Sequence, residues 1–443
     1  MKKSALLSGA ITLSIGGVIT KFIGAVYRIP LTNILGAEGI GIYQMVFPLY
    51  TILLTLSSTG VPSGISKLIA EGNSPEKTLK SSLKLFAVIG FILSVSMASF
   101  SSVISKLQGN ESARLAYVLM SPSVFFVSLI SCFRGYYQGF SNMKPTAFSQ
   151  ILEQATKLLF GLAICYANKE NVVLASAGAT LAVTVSELTT LIYLILKTKK
   201  SINTVEFVSA KTDIKPILKT VFPMMVATII MPLTRTVDSF LILNIVGGYL
   251  NSATAVYGLY SGAVESIVSL PISFCYALAV TSIPIVSRLK KEGGNFYGKI
   301  MQSVIYTALC SMVFSILTYA FSGVAVNILY SRLSASNKII TINMLKLSSI
   351  SVFLLPIMQT LIACINALGR YKITIISGGL SAVFKIGASL ALLKIASLNV
   401  FGAIISDIFC YLVACFANLS YIIYSKVFKR LKNEQDNRYR LRS

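Results

Sequence analysis

Apolar stretches of twenty or more residues recur along the whole chain, separated by short polar turns. Each is long enough to cross a hydrocarbon core of ~30 Å, where an α-helix satisfies its own backbone. None carries the polar stripe at helical spacing that a helix of a soluble bundle needs on its wet side. Charge content agrees: 12% of residues are Asp, Glu, Lys or Arg, against roughly a quarter in a soluble domain. The expected spans are 5–34, 40–66, 83–105, 114–140, 146–167, 171–196, 217–246, 253–287, 300–330, 340–367, 372–396 and 399–425. The chain is therefore expected to be an all-α membrane protein of about twelve transmembrane helices.

A formal net charge of +24 would suggest nucleic acid as partner, but the positions of the charges exclude it. Of the 39 Lys and Arg, 27 fall at the two ends or in alternate loops, among them Lys2, Lys3, Lys77, Lys84, Arg134, Lys144, Lys200, Lys211, Arg288, Arg370 and the run from Lys426 to Arg442. The intervening loops hold 7. This is the positive-inside asymmetry, and it predicts that both termini are cytoplasmic, with anionic lipid as a secondary partner. Lys2 and Lys3 before an apolar run resemble a signal peptide, yet the run continues past Lys21 to Leu35 with no A-x-A site. It is expected to be the first span.

The two halves read as copies. GVPSGISKLIAEGN at 60–73 matches SIPIVSRLKKEGGN at 282–295, and QGFSNMKPT at 138–146 matches NALGRYKIT at 366–374. In that second register Lys157 faces Lys385. Six spans per copy is an even number, so both copies enter from the same side, giving two parallel six-helix lobes. The expected organisation is an N-terminal lobe at 1–200, a cytoplasmic linker at 201–216, a C-terminal lobe at 217–428 and a basic cytoplasmic tail at 429–443. Pro30, Pro48, Pro62, Pro122, Pro223, Pro232, Pro271, Pro284 and Pro356 fall within or beside spans, as bends would in a bundle that changes shape.

Ten charges remain inside the spans: Lys21, Arg28, Lys157, Arg235, Lys385, Glu153, Glu187, Asp238, Glu265 and Asp407. Each costs about 2.5–3.5 kcal/mol at a helix centre, so each calls for a partner or a polar cavity. Lys21 and Arg28 are two turns apart on one face, with Gly24 between them and no acidic residue within four positions. Arg28 offers a planar fork to phosphate oxygens, and Lys21, Arg235 and Lys385 are the other candidate substrate-binding cations. Glu153 and Lys157 stand at i,i+4, and Arg235 and Asp238 at i,i+3, so local pairing would neutralise them. Lys385 has no acidic neighbour on its own helix. Asp238, Glu265, Glu153, Lys157, Glu187 and Asp407 are the candidates for cation or proton coupling, or for charge pairing. Seven cysteines without metal or redox spacing read as small buried apolar residues. With no His and no glycine loop for phosphate, no catalytic or metal constellation is visible, and no enzyme activity or cofactor is expected beyond coupling to protons or sodium.

The segment KFIGAVYRIPLTNILGAEGIGIYQMVFPLYTILLTLSSTGVPSGISKLIAEGN at 21–73 resembles the stage V sporulation protein B group of polysaccharide biosynthesis transporters. MPLTRTVDSFLI at 231–242 and ALGRYK at 367–372 extend the likeness to the second half. The group is related to oligosaccharide-lipid flippases, lipid II flippases and multidrug and toxic compound extruders. The resemblance implies two six-helix lobes facing each other as a V. It implies as cargo an undecaprenyl-diphosphate-linked saccharide or peptidoglycan precursor, carried to the outer leaflet for cell-wall, spore-cortex or polysaccharide synthesis. It also places Arg28 where the lipid II flippases have a basic residue against the diphosphate. Unlike those flippases, the second span, 40–66, holds no basic residue, and the sequence stops after about twelve spans. Two other functions fit a chain of this kind: a cation-coupled multidrug exporter, with Asp238 or Glu265 at the coupling site, and a non-transporting scaffold whose basic tail recruits cell-wall synthesis enzymes.

Overall fold

In a computed structural model, the structure describes residues 2–201, 215–292 and 294–440, and the regular secondary structure within them is all helical. Residues 202–214 of the expected linker, with Lys211, and residues 441–443 of the expected tail lie outside the described residues. So do the side chains of Lys2, Lys3, Lys200, Pro223, Pro284 and every residue from Lys426 on.

The first helix, α1 (Lys2–Ser57), runs for 56 residues. At 1.5 Å per residue it would be roughly 84 Å long, far more than one crossing. Gly36 divides it, with φ 67° and ψ −174°, at the turn expected between the first two spans. That backbone region is open essentially to glycine alone. Gly60 (φ 81°) then separates α1 from α2 (Val61–Ala70), whose Pro62 sits in the first turn, where its missing N–H costs nothing. There follow α3 (Pro75–Ser99), α4 (Ser101–Leu107), a 3₁₀ turn (Glu111–Ala113), α5 (Arg114–Gly139), α6 (Lys144–Ala167) and α7 (Val172–Ser201). After the linker come α8 (Lys215–Thr228), α9 (Ile230–Leu241), α10 (Ala253–Gly258), α11 (Glu265–Lys291), α12 (Phe296–Ala320), α13 (Ser322–Leu329), α14 (Ala335–Ala367), α15 (Tyr371–Leu392) and α16 (Phe401–Arg440). Two π-helical turns, Ile242–Val246 and Leu259–Val264, flank α10.

Among the described residues, nine helical stretches are long and apolar enough to cross a membrane. One of them, Ile19–Ala70, contains the Gly36 break and so supplies two crossings. Helix α6, which carries Lys144, Glu153 and Lys157, is not among them. The outward faces are oily. Helix α12 exposes Ile305, Leu309, Met312, Val313 and Ile316, and α15 exposes Ile376, Leu380, Val383 and Phe384. In water such continuous faces would drive association; in lipid they are the solvated surface. The chain is a multi-pass helical membrane protein.

The chain packs as two compact units, the first comprising Met1–Ser266 with Leu329–Asn337, the second Ile267–Ile328 with Lys338–Ser443. These units and the two sequence copies divide the chain at different points. In the first unit, α5 packs on α3 and α7, α6 packs on α7 and α1, and Val61, Ile65, Phe86, Ile130 and Leu194 form one core cluster. A second cluster joins Tyr27, Leu31, Ile40 and Tyr43 to Cys165 and Ala175. Helix α10 lies along α1 so closely that a Cβ on Gly258 would overlap the backbone of Gly41, and one on Gly41 would overlap Thr254. Polar side chains secure the same region. Gln108 Nε2 donates to the Met45 carbonyl (3.0 Å) and to Ser239 Oγ (2.7 Å), and Asn244 Nδ2 donates to the Leu107 carbonyl (2.8 Å). In the second unit, α15 and α16 form a tight hairpin, and Val286, Ile300, Leu361, Ile365 and Ile422 form a core.

Since nothing lies within 4 Å of a Cβ built on Gly36, the constraint there is purely one of backbone. Gly36→Ala should cost about 1–3 kcal/mol and lower the thermal midpoint of the purified protein. Gly17→Ala, also in open space but within regular helix, should leave it unchanged or raise it.

Candidate functional site

The intramembrane charges gather mainly in the first unit, on the faces of α1, α5, α6 and α7. Helix α6 brings Glu153 and Lys157 inward. Gly24 of α1 backs onto Gln154, and Gly161 of α6 lies against the Tyr27 ring, so α1 and α6 approach closely along this stretch. The small residues permit that approach. Tyr27, beside Arg28 in sequence, presents its ring to the Lys157 ammonium, 5.8 Å from the centroid.

Glu153 does not take Lys157 as its partner. Its Oε2 accepts from Arg134 Nη2 of α5 at 2.9 Å, and Arg134 Nε donates to Ser149 Oγ at 2.9 Å. The pair is well enclosed, with side chains 14% and 19% exposed. The i,i+4 pairing expected from sequence is thus replaced by an interhelical one. A guanidinium anchored on Ser149 offers a directed bond that a flexible ammonium on the same helix does not. Arg134, counted from sequence among the loop charges, lies five residues before the end of α5. That depth was the signal available for it.

Glu187 of α7 is 5% exposed. Its Oε2 has no hydrogen-bond partner among the described residues, although Arg134, Lys157 and Glu153 all lie within electrostatic reach. Arg28, half-buried on α1, makes no ion pair among the described residues and is in electrostatic reach of Lys157, Tyr43 and Tyr330. Three cations (Arg28, Arg134, Lys157) and two carboxylates (Glu153, Glu187) therefore share one interior. With all five charged, one positive charge is left over. Lys21 lies two turns away on α1 and is exposed.

The remaining candidates lie elsewhere. Arg235 of α9 reaches Glu265, at the first turn of α11, with Nη1 to Oε1 at 2.5 Å and side chains 49% and 33% exposed. This interhelical pair was not visible in the i,i+3 spacing to Asp238, which is itself buried in α9. Lys385 and Asp407 meet in the second unit, Nζ to Oδ1 at 2.6 Å, with side chains 8% and 13% exposed. The acidic neighbour that α15 lacks is thus supplied by α16. Five of the cysteines are buried, Cys310 and Cys415 are half-buried, and all seven are free. Among the described residues no group of His, Cys, Asp or Glu could hold a metal ion.

The Lys385–Asp407 pair yields a direct test. Lys385→Met or Asp407→Leu alone strands a buried charge and should cost about 3–5 kcal/mol. The double variant should lose much less than the sum of the two, measured by unfolding in detergent.

Residues 6–290, well over half of the chain, match the family model described as "Polysaccharide biosynthesis protein". The chain is 29% identical over 306 residues to Stage V sporulation protein B of Bacillus subtilis (strain 168), covering 65% of this chain and 59% of that protein. It thus spans less than two thirds of that relative's length. It is 24% identical over 447 residues to the Lipid II flippase MurJ of the same organism, covering 93% of this chain and 81% of that one. Among solved structures, it superposes on a multidrug resistance MATE family transporter of the MOP superfamily in an inward-facing conformation. The TM-score is 0.75 at 16% identity, covering 94% of this chain and 99% of that one. The fold is that of the MATE transporters.

Proposed function

The chain belongs to the polysaccharide biosynthesis protein family, and from that premise we propose that it is a flippase for a lipid-linked saccharide. The cargo proposed is an undecaprenyl-diphosphate-linked sugar or peptidoglycan precursor, delivered to the outer leaflet for wall, spore-cortex or polysaccharide synthesis. The observation that carries this reading is Arg28, a half-buried guanidinium in a membrane-spanning helix with no carboxylate partner among the described residues. Lys157 stands beside it, turned toward the Tyr27 ring. A cation left unanswered in low dielectric is costly, and an anionic ligand offsets that cost. The diphosphate of a lipid carrier has the right sign, and its pairs of non-bridging oxygens suit the planar fork of a guanidinium. A cationic drug would meet a surplus of like charge here, which disfavours the exporter reading.

Arg235 and Lys385 are proposed as secondary cations only, because each already faces a carboxylate, Glu265 and Asp407 respectively. Transport is proposed to occur by alternating access, with one sequence half rocking against the other. A membrane potential, inside negative, does about 2.3 kcal/mol of work per charge per 100 mV. It favours outward movement of an anionic headgroup. The location proposed is the cell membrane with both termini in the cytoplasm, supported by the distribution of Lys and Arg.

Arg28→Ala, expressed at the wild-type level, should abolish delivery of lipid-linked precursor to the outer leaflet, whereas Arg28→Lys should retain part of it. Delivery by the alanine variant at the wild-type rate would refute the headgroup role. For the topology, a fluorescent protein fused at the C-terminus should mature, and an alkaline phosphatase fused there should remain inactive.

A further inference from the structure

Arg28, Arg134, Lys157 and Glu153 each have a place in the headgroup reading or in a pair. Glu187 does not. Its carboxylate is buried, its Oε2 meets no donor among the described residues, and it sits where a lone negative charge is expensive. Every helix packed against this part of α7 contributes a group that bears on it. Helix α5 presents Arg134, already bound to Glu153 and Ser149. Helix α6 presents Glu153, which repels a second negative charge, and Lys157, which holds no ion pair among the described residues. Helix α1 presents Tyr50. An ionised Glu187 therefore has one uncommitted counter-ion within reach, Lys157, and that same ammonium is the neighbour of Arg28.

We propose that Glu187 is a proton-binding site linked to the anionic headgroup site at Arg28 and Lys157, so that the protein takes up a proton as it takes up a diphosphate. The inference rests on the headgroup reading and goes beyond it by naming the coupled ion and the residue that carries it. The charge balance is simple. With Glu187 ionised, the five groups leave one surplus positive charge. A proton from solvent on Glu187 raises the surplus to two, matching a doubly ionised diphosphate diester, and releases Lys157 to the phosphate. Linkage makes the effect reciprocal: the anion raises proton affinity at Glu187, and the proton raises affinity for the anion by the same factor. No covalent step is involved.

The test uses the full-length protein in lipid nanodiscs and a short-chain prenyl-diphospho-N-acetylglucosamine. As a diphosphate diester, this probe keeps its own charge through the neutral range, so any proton taken up belongs to the protein. Titration calorimetry in two buffers of different ionisation enthalpy reads proton uptake directly. The wild type should take up about one proton per ligand, and its affinity should weaken by up to about tenfold per pH unit as pH rises through the linked range. Glu187→Gln, which imitates the protonated form, should bind with little pH dependence and no proton uptake. Wild-type binding without proton uptake overturns the Glu187 link and leaves the headgroup reading intact. A Glu187→Gln variant that keeps the wild-type pH slope also overturns it. Absence of binding by the wild type at every pH overturns both.

Discussion

Hydrocarbon offers neither hydrogen bonds nor counter-ions, so every backbone amide and every charge within it must be answered by the protein itself. The first demand makes the regular structure of the described residues all helical. It confines the few departures to places where glycine or a π-helical turn can take them, as at Gly36 and around α10. The second demand decides which helices must be neighbours. Arg134 and Glu153 tie α5 to α6, Arg235 and Glu265 tie α9 to α11, and Lys385 and Asp407 tie α15 to α16. Where the demand is left unmet among the described residues, at Arg28 and Glu187, the sites of interest begin.

The hydropathy pattern made nearly all of the fold legible, because a lipid-facing helix has no reason to hide its apolar residues. Ends of helices were less so: α3 begins at Pro75, well before its expected span, since proline and the first helical turn are stable in the interfacial region. The charge pairs were the least legible. Spacing rules such as i,i+4 see only one helix, and in the three pairs that join intramembrane charges the two partners stand on different helices. Glu153 was therefore matched to Lys157 rather than to Arg134, and Lys385 was left without the Asp407 that a hairpin turn brings back to it. Arg134 was set aside as a loop charge because it lies near the end of a span, though five further residues of helix place it well below that end.

The same facts show why Arg28 could be singled out from sequence. Its immediate surroundings on α1 contain no acidic residue, and in this case no other helix provides one among the described residues. Tyr27, Tyr43 and Tyr330 lie within electrostatic reach of it, and as neutral phenols they leave its charge uncancelled.

The contact of Gly41 with Gly258 has a mechanical consequence. Interfaces built from branched side chains interlock, and separating them means unthreading knobs from holes. Two helices meeting through bare glycine backbone carry no such teeth. They rest together like smooth plates, clamped by a few polar bolts such as Gln44 Nε2, which donates to the Ser261 carbonyl, and Tyr257 OH, which donates to the Gln44 carbonyl. A joint of that design releases once a handful of hydrogen bonds are exchanged for water, and it reseats without any side chain having to find its slot again.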